Sequence, residues 1–447
     1  MQFSEIKKIL SEEATALGIA EYDIYFSKAE SLSAETLKDE ISTFSSSNGI
    51  GVSFRCVRDG KFGYASGELL EENELRGLVA KAYENAAYIE SDDEALIFRG
   101  SEKYETTENE PLPDISTADL KKIALDIQKT TYAEDEAVTD GTQSGVGVVR
   151  SEVHMYNSYG LELHSNKSAY QYLAVAVVNK DGEAEEDYEY RYAKSFDKAN
   201  ELSAEAVKNA LSKLGAGSVA SGSYNVVFSG KMLATLLGTF SGAFSAKNAQ
   251  LGLSQLAGKE GTVIAAENIT ITDDPFSDLV LYKTTFDAEG VATKTKNVVE
   301  NGVLNTLLYD LATAKKAGKT TTANASRGSY ASPTAISPYC FYINGGKCSF
   351  DELLETAGDG IYITELKGLH AGANAVTGDF SIESAGYRIE SGKLAGAVKS
   401  FTIAGNFYDF LKKIDALSDR VVLSGSGISR GFGAPDALVK NMSVAGK

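Results

Sequence analysis

Histidine, cysteine and proline are all scarce in this chain of 447 residues, which holds only three, three and six of them. The histidines are His154, His164 and His370, and none has another histidine three to five residues on. A catalytic zinc takes three protein ligands, usually from His, Glu, Asp or Cys, so little is available to build one. The cysteines, Cys56, Cys340 and Cys348, are odd in number and widely spaced. That argues against a disulfide framework and fits a reducing cytoplasm. No apolar run approaches the roughly 20 residues that span a bilayer. The first ten residues carry charges where a signal peptide would be apolar. Basic residues are scattered, and the formal net charge is −19. Such a surface repels phosphates, so direct nucleic-acid binding is not expected. The expectation is a soluble cytoplasmic protein without membrane association.

The length suggests two or three domains, and the pattern is α+β and multidomain. Phe3, Ile6, Leu10, Ala14 and Leu17 recur at helical spacing. Tyr22, Ile24 and Phe26 alternate, as do Ile50, Val52, Phe54 and Cys56, with a hairpin turn at Arg58-Asp59-Gly60-Lys61. A second amphipathic helix completes a helix-and-sheet domain over 1–90. Residues 91–114 are acidic and polar and hold Pro111 and Pro113, which reads as a linker. A middle α+β domain follows over 115–217, opening on a helix capped by Ser116. Turns are expected at Asn157-Ser158-Tyr159-Gly160 and Lys180-Asp181-Gly182. Residues 218–447 look strand-rich. Helices are expected there at about 231–246, 307–317 and 404–417.

The residues alone point to little chemistry. His154 and His164 could face each other across a hairpin as metal ligands, or be ordinary strand histidines. A Cys340/His370 pair has no local support. The glycine-rich run at 424–431 lacks the lysine and helix of a phosphate loop and reads as a turn-rich connection between strands. Asp273-Asp274-Pro275 and Asp287-Ala288-Glu289-Gly290 are oxygen-rich, with turn capping as the commoner explanation. Residues 368–381 combine glycines, small residues and hydrogen-bonding side chains. That suits either a groove for an extended peptide or an array of tight turns.

In combination, several of these stretches resemble the TldD/PmbA family, once called modulators of DNA gyrase. They are Asp273-Asp274-Pro275, Phe286-Asp287-Ala288-Glu289-Gly290, Asn301-Gly302-Val303-Leu304, residues 368–381, Ala404-Gly405-Asn406 and the ending Val444-Ala445-Gly446. With the strand at Gly49-Ile50-Gly51-Val52 and the Asn157 turn, the resemblance spans nearly the whole chain. TldD-type members carry an H-E-x-x-x-H helix and a later cysteine. The PmbA/TldE-type branch, which this chain resembles, lacks them. By that alignment Ala234 stands for the first histidine, Thr235 for the glutamate and Thr239 for the second histidine. The cysteine position, at 421–425, holds none.

The resemblance implies a non-catalytic subunit without its own metal or catalytic residues. Its partner would be a TldD-type metallopeptidase that holds the zinc, and its substrates small or unfolded peptides. The implied wall residues are Phe240, His370, Asn374, Thr377, Asp379 and Ser381. Two other readings stand beside this one: a self-sufficient peptidase with an unrecognised centre, and a homodimeric peptide-binding protein.

Overall fold

The computed structural model describes residues 1–90, 93–107, 109–425 and 427–447. In it, the alternation at Tyr22, Ile24 and Phe26 opens a strand of 16 residues, β1 (Tyr22–Leu37). β2 (Glu40–Arg58) carries the second alternating run, and β3 (Lys61–Gly67) returns from the predicted turn. Asp59 and Gly60 there hold positive φ angles of 52° and 76°. A two-residue hairpin turn that follows the strand twist needs both. β4 (Gln143–Asn157), β5 (Glu162–Lys180) and β6 (Glu183–Ala193) complete one sheet, in the order β3-β2-β1-β4-β5-β6. The antiparallel β1–β4 pairing places Asp23 opposite Asn157 and Leu37 opposite Gln143. It joins the first and middle blocks into a single sheet.

Four helices cover one face of that sheet in two pairs. α1 (Phe3–Ala16) and α2 (Glu72–Asn85) pack over Ile24, Phe26, Val52 and Phe54. α3 (Thr117–Ala133) and α4 (Ala199–Ser212) pack over Ala34, Val146, Tyr172 and Ala174. Ser116 caps α3 as expected, its hydroxyl accepting from the Asp119 N–H at 3.1 Å. Side chains alternate along a strand, so Lys28 and Glu30 share the face of Phe26 and Ala34. Being charged, they mark a polar waist between the helix pairs. Two cavities lie there, of about 130 and 240 Å³.

The other face of the sheet docks on the rest of the chain. The Tyr330 N–H donates to Ser27 Oγ at 3.2 Å, Lys167 Nζ to Thr284 Oγ1 at 3.1 Å, and Tyr282 Oη to the Ser168 carbonyl at 2.7 Å. The linker at 91–114 has no helix or strand in its described residues. It straps the two parts together: Ala95 N–H donates to the Gly60 carbonyl at 3.0 Å and Tyr104 Oη to the Gly290 carbonyl at 2.7 Å. Ser91, Asp92 and Glu108 lie outside the described residues.

Two further sheets build the C-terminal part. The first contains β8 (Ile271–Asp274), β9 (Lys296–Glu300), β10 (Val303–Leu304), β13 (Cys340–Ile343), β18 (Val422–Leu423) and β19 (Gly431–Ala434). The second contains β7 (Gly222–Phe228), β14 (Gly360–Lys367), β15 (Asp379–Glu390), β16 (Lys393–Asn406), β17 (Ile414–Leu417) and β20 (Ala437–Ala445). A small hairpin, β11 (Ala325–Ser326) with β12 (Ala335–Ile336), stands apart. Strand β16 pairs with β20 as well as β15, so the second sheet closes on itself. α5 (Gly230–Thr239) follows β7 and packs against β13, β18 and β19 of one sheet and β14 of the other.

Three predicted helices are cut shorter by local capping. The stretch 231–246 is not one helix. α5 ends at Thr239, a 3-10 turn covers Ser241–Phe244, and α6 (Ala246–Gln250) starts afresh on Ser245, whose hydroxyl accepts from the Asn248 N–H. The stretch 307–317 is helical only over α7 (Leu311–Lys316), because Asp310 caps it late. At 404–417, strand β16 runs on to Asn406, whose side chain caps α10 (Phe407–Lys413) by accepting from the Tyr408 N–H at 3.1 Å. Ile414 is extended again and begins β17.

Candidate functional site

α5 is placed by Ser229, whose hydroxyl accepts from the Met232 N–H, and by the close approach of its first residue to the sheet. A Cβ on Gly230 would lie 2.6 Å from Val422 Cγ2, and one on Gly238 would lie 2.9 Å from the Phe432 ring. Ala234 is fully buried in the apolar core. Thr235 Oγ1 donates to the Lys231 carbonyl at 2.8 Å, and Thr239 Oγ1 donates to the Thr235 carbonyl at 2.9 Å. Both hydroxyls therefore bond back onto their own helix, a habit of Ser and Thr at interior helix positions. The neighbouring strand β18 offers Val422 and Leu423. A zinc ion needs lone pairs from thiolate, imidazole or carboxylate. Methyl groups and committed hydroxyls do not supply them, so the α5 residues do not fit the ion.

The wall residues divide. Phe240 is fully buried, its ring stacked on Phe407 at 4.6 Å and tilted against Phe380 at 6.3 Å. It presents no surface to a ligand, because a phenyl ring at the end of α5 fills the core between helix and sheet. His370, Asn374, Asp379 and Ser381 are exposed, and Thr377 is half-buried. His370, Asn374 and Thr377 lie in the loop that follows α8 (Phe350–Ala357) and β14 and contains the single turn α9 (Leu369–Gly372), whereas Asp379 and Ser381 open strand β15. Asn374 Oδ1 accepts from the Val376 and Thr377 N–H groups at 3.0 and 3.1 Å. The Thr377 carbonyl accepts from Asn406 Nδ2 at 2.9 Å and from Gln255 Nε2 at 2.7 Å. Asn406 Nδ2 also reaches Asp379 Oδ1 at 2.9 Å, which holds the Asp379 carboxyl below its ordinary range. The loop is an array of tight turns with polar side chains facing out.

The paired-carboxylate motifs are structural. Asp273 is completely buried and bound to Lys296 Nζ at 2.9 Å, to Asn324 Nδ2 at 2.7 Å and to the Tyr339 N–H at 2.6 Å. Asp274 Oδ1 accepts from the Phe276 N–H at 3.0 Å. Asp287 Oδ1 accepts from the Glu289 and Val291 N–H groups, both at 2.9 Å. Asp274 and Asp287 are thus turn caps, whereas Asp273 is the anion of a buried ion pair. Asp287 and Glu289 are both buried, which their turn-like local sequence does not reveal. Burial pushes the Glu289 carboxyl up to about 8, opposed by the charge of Arg55 and reinforced by Asp287 and Asp310. Arg55 comes from β2, and its Nε donates to Asp23 Oδ2 at 2.9 Å. The motif thus faces a buried charge cluster at the junction with the N-terminal sheet.

Cys340 and His370 are not a pair. Cys340 is fully buried in β13, and burial pushes its thiol up to about 11, whereas His370 is exposed on α9. The run 424–431 joins β18 to β19 as a turn-rich connection, with Ser426 outside the described residues. His154 and His164, by contrast, do meet. They are direct partners in the β4–β5 ladder, with ring centroids 4.2 Å apart. Glu152 joins them: its Oε1 lies 2.6 Å from His154 Nε2 and 3.8 Å from His164 Nε2. Glu152 was legible, since residues i and i−2 share a strand face.

With this geometry in hand, the relatives fall into place. Three profiles of one family match the chain: PmbA/TldA metallopeptidase domain 1 over residues 22–86, the central domain over 110–214 and the C-terminal domain over 221–446. They define a three-part, metallopeptidase-like protein. The chain belongs to the PmbA/TldD family. An uncharacterized protein of Methanocaldococcus jannaschii is 32% identical, over 89% of this chain and 92% of its own. Metalloprotease PmbA of Escherichia coli O157:H7 is 25% identical, over 99% and 97%. A Thermotoga maritima structure, provisionally described as a modulator of a DNA gyrase, is 30% identical with a TM-score of 0.88, covering 99% of this chain and 100% of that one. TldE from Thermococcus kodakarensis shares the fold, at a TM-score of 0.86 and 23% identity over 98% and 100%. Among the described residues no helix is long and apolar enough to cross a membrane.

Proposed function

We propose that this chain is the PmbA/TldE-type, non-catalytic subunit of a cytoplasmic peptidase, whose TldD-type partner carries the zinc and cuts small or unfolded peptides. The observation that carries the reading is the state of α5. Ala234 is sealed in the core, and the hydroxyls of Thr235 and Thr239 are committed to carbonyls one turn back. A zinc peptidase needs two helix side chains on the metal and a carboxylate to activate water, and none of these residue types stands at the three positions. The subunit's contribution is a wall. The 368–378 loop, held by Asn406 and Gln255, and the start of β15 leave His370, Asn374, Asp379 and Ser381 facing outward. Rigid polar turns of this kind present hydrogen-bonding groups to a peptide main chain at little entropic cost.

The test is reconstitution with a TldD-type chain. The reading expects a stable complex and peptide cleavage that depends on the partner's zinc. Peptide cleavage by this chain alone would favour a self-sufficient hydrolase. Tight peptide binding by a homodimer, without turnover beside the partner, would favour a binding protein.

A further inference from the structure

We propose that Glu152, His154 and His164 form a binding site for a divalent first-row transition metal, on the N-terminal sheet and away from α5. One ligand atom from each of the three lies within 4.8 Å of the others, and among the described residues this is the one such grouping of three or more His, Cys, Asp or Glu side chains. The strands hold the donors together. His154 and His164 face each other across β4 and β5, and Glu152 stands two residues before His154 on the same face. Two imidazoles and one carboxylate suit zinc, cobalt, nickel or copper better than calcium or magnesium, which prefer all-oxygen shells.

The surroundings favour a built site over a chance pair. Phe3 of α1 stacks on the His154 ring at 4.6 Å and 19°, and Phe26 meets it edge-on at 5.8 Å. Those contacts fix one imidazole. The side chain of His164 is 45% exposed, which leaves an approach from solvent. Bonds of about 2.0–2.1 Å to a tetrahedral ion separate the ligand atoms by roughly 3.3 Å. The ion would replace the 2.6 Å contact between His154 and Glu152 and draw in His164 Nε2 from its present 3.8 Å. The three ligand atoms, now within 4.8 Å of one another, would have to draw together to that separation. Three protein ligands leave a fourth position open toward the polar waist, where Glu152 also lines the cavity of about 130 Å³. The site is independent of the non-catalytic reading of α5.

The test uses the full chain, stripped of metal and titrated with zinc by calorimetry and with cobalt by visible absorption. The proposal expects one ion per chain, with ligand-field bands of a four-coordinate cobalt. His164→Ala and Glu152→Gln should each weaken binding at least tenfold while leaving the thermal midpoint of the metal-free protein nearly unchanged. Absence of stoichiometric binding would overturn it, as would binding that neither substitution weakens. An ion retained in full by both variants would lie elsewhere, and retention in the α5 region would count against the proposed function instead.

Discussion

The hydroxyl of Thr239 donates to the carbonyl of Thr235, one helical turn back, at 2.9 Å. Thr235 in turn donates to Lys231 at 2.8 Å. Two of the three positions where a catalytic helix would hold its working side chains are thereby satisfied within the helix itself. The third, Ala234, faces the core.

Restoring the motif letters will not restore a metal centre. The triple substitution Ala234→His, Thr235→Glu and Thr239→His places an imidazole where a methyl group is fully buried. Overpacking of this kind costs about 1–3 kcal/mol. No cysteine joins from β18, whose residues are Val422 and Leu423. Made in a His164→Ala background, the triple variant is expected to melt earlier and to gain no tight one-to-one zinc by metal analysis. A stoichiometric ion there would refute the prediction.

The Asp273–Lys296 pair should prove essential to stability. Their side chains are 0% and 9% exposed and 2.9 Å apart. Removing one partner of a buried ion pair leaves the other uncompensated and typically costs about 3–5 kcal/mol. Asp273→Asn is expected to lower the denaturation midpoint of the chain strongly. Adding Lys296→Met should recover part of the loss. Urea unfolding of the two variants checks this, and an unshifted midpoint in the single variant would contradict it.

Glu289 should make the protein less stable as pH rises. Its folded-state pKa is raised from 4.5 to about 8, with burial as the largest cause. A raised carboxyl favours the protonated folded state, so its stabilising contribution is complete below pH 4.5 and is lost as pH climbs through about 8. Glu289→Gln keeps an acceptor for the Leu311 N–H, which now donates to Glu289 Oε2 at 2.8 Å. The thermal midpoint of the natural chain should fall between pH 5 and 8 relative to this variant. Parallel curves for the two proteins would contradict the assignment.

His370→Ala removes an exposed ring, so the complex with a TldD-type chain should form normally while peptide cleavage slows several-fold. Asn374→Ala removes the acceptor of two backbone N–H groups. It should also loosen the loop, at about 0.5–1.5 kcal/mol per lost bond. Equal cleavage rates for natural and His370→Ala complexes would remove the loop from the peptide path.

Much of the N-terminal sheet could be read directly from residues. The alternation at Tyr22, Ile24 and Phe26, the Asp59-Gly60 turn and the Ser116 cap all express local rules that the structure obeys. The full length of β2 could not be read, because Ser45, Ser46 and Ser47 are exposed and carry no apolar alternation. Nor could the union of two blocks through β1 and β4, which depends on long-range pairing. In α5, apolar periodicity continued past Thr239 and masked the break, although Ser245 was a readable cap for the next helix. Phe240 was misleading as a wall residue because sequence position next to a motif says nothing of which way a ring points. The hairpin spacing allows His154 and His164 to face each other, and the β4–β5 register makes them direct partners. Glu152, two residues before His154, stands on the same face by strand alternation alone.

The most direct measurement is peptide hydrolysis by the metal-replete chain, alone and mixed with a TldD-type partner, with the two proteins first separated and then co-purified. The account predicts no cleavage by this chain alone, a stable mixed complex, and activity that disappears when the partner's histidine motif is mutated. Peptide cleavage by the isolated chain, or failure to form any complex with such a partner, would contradict it.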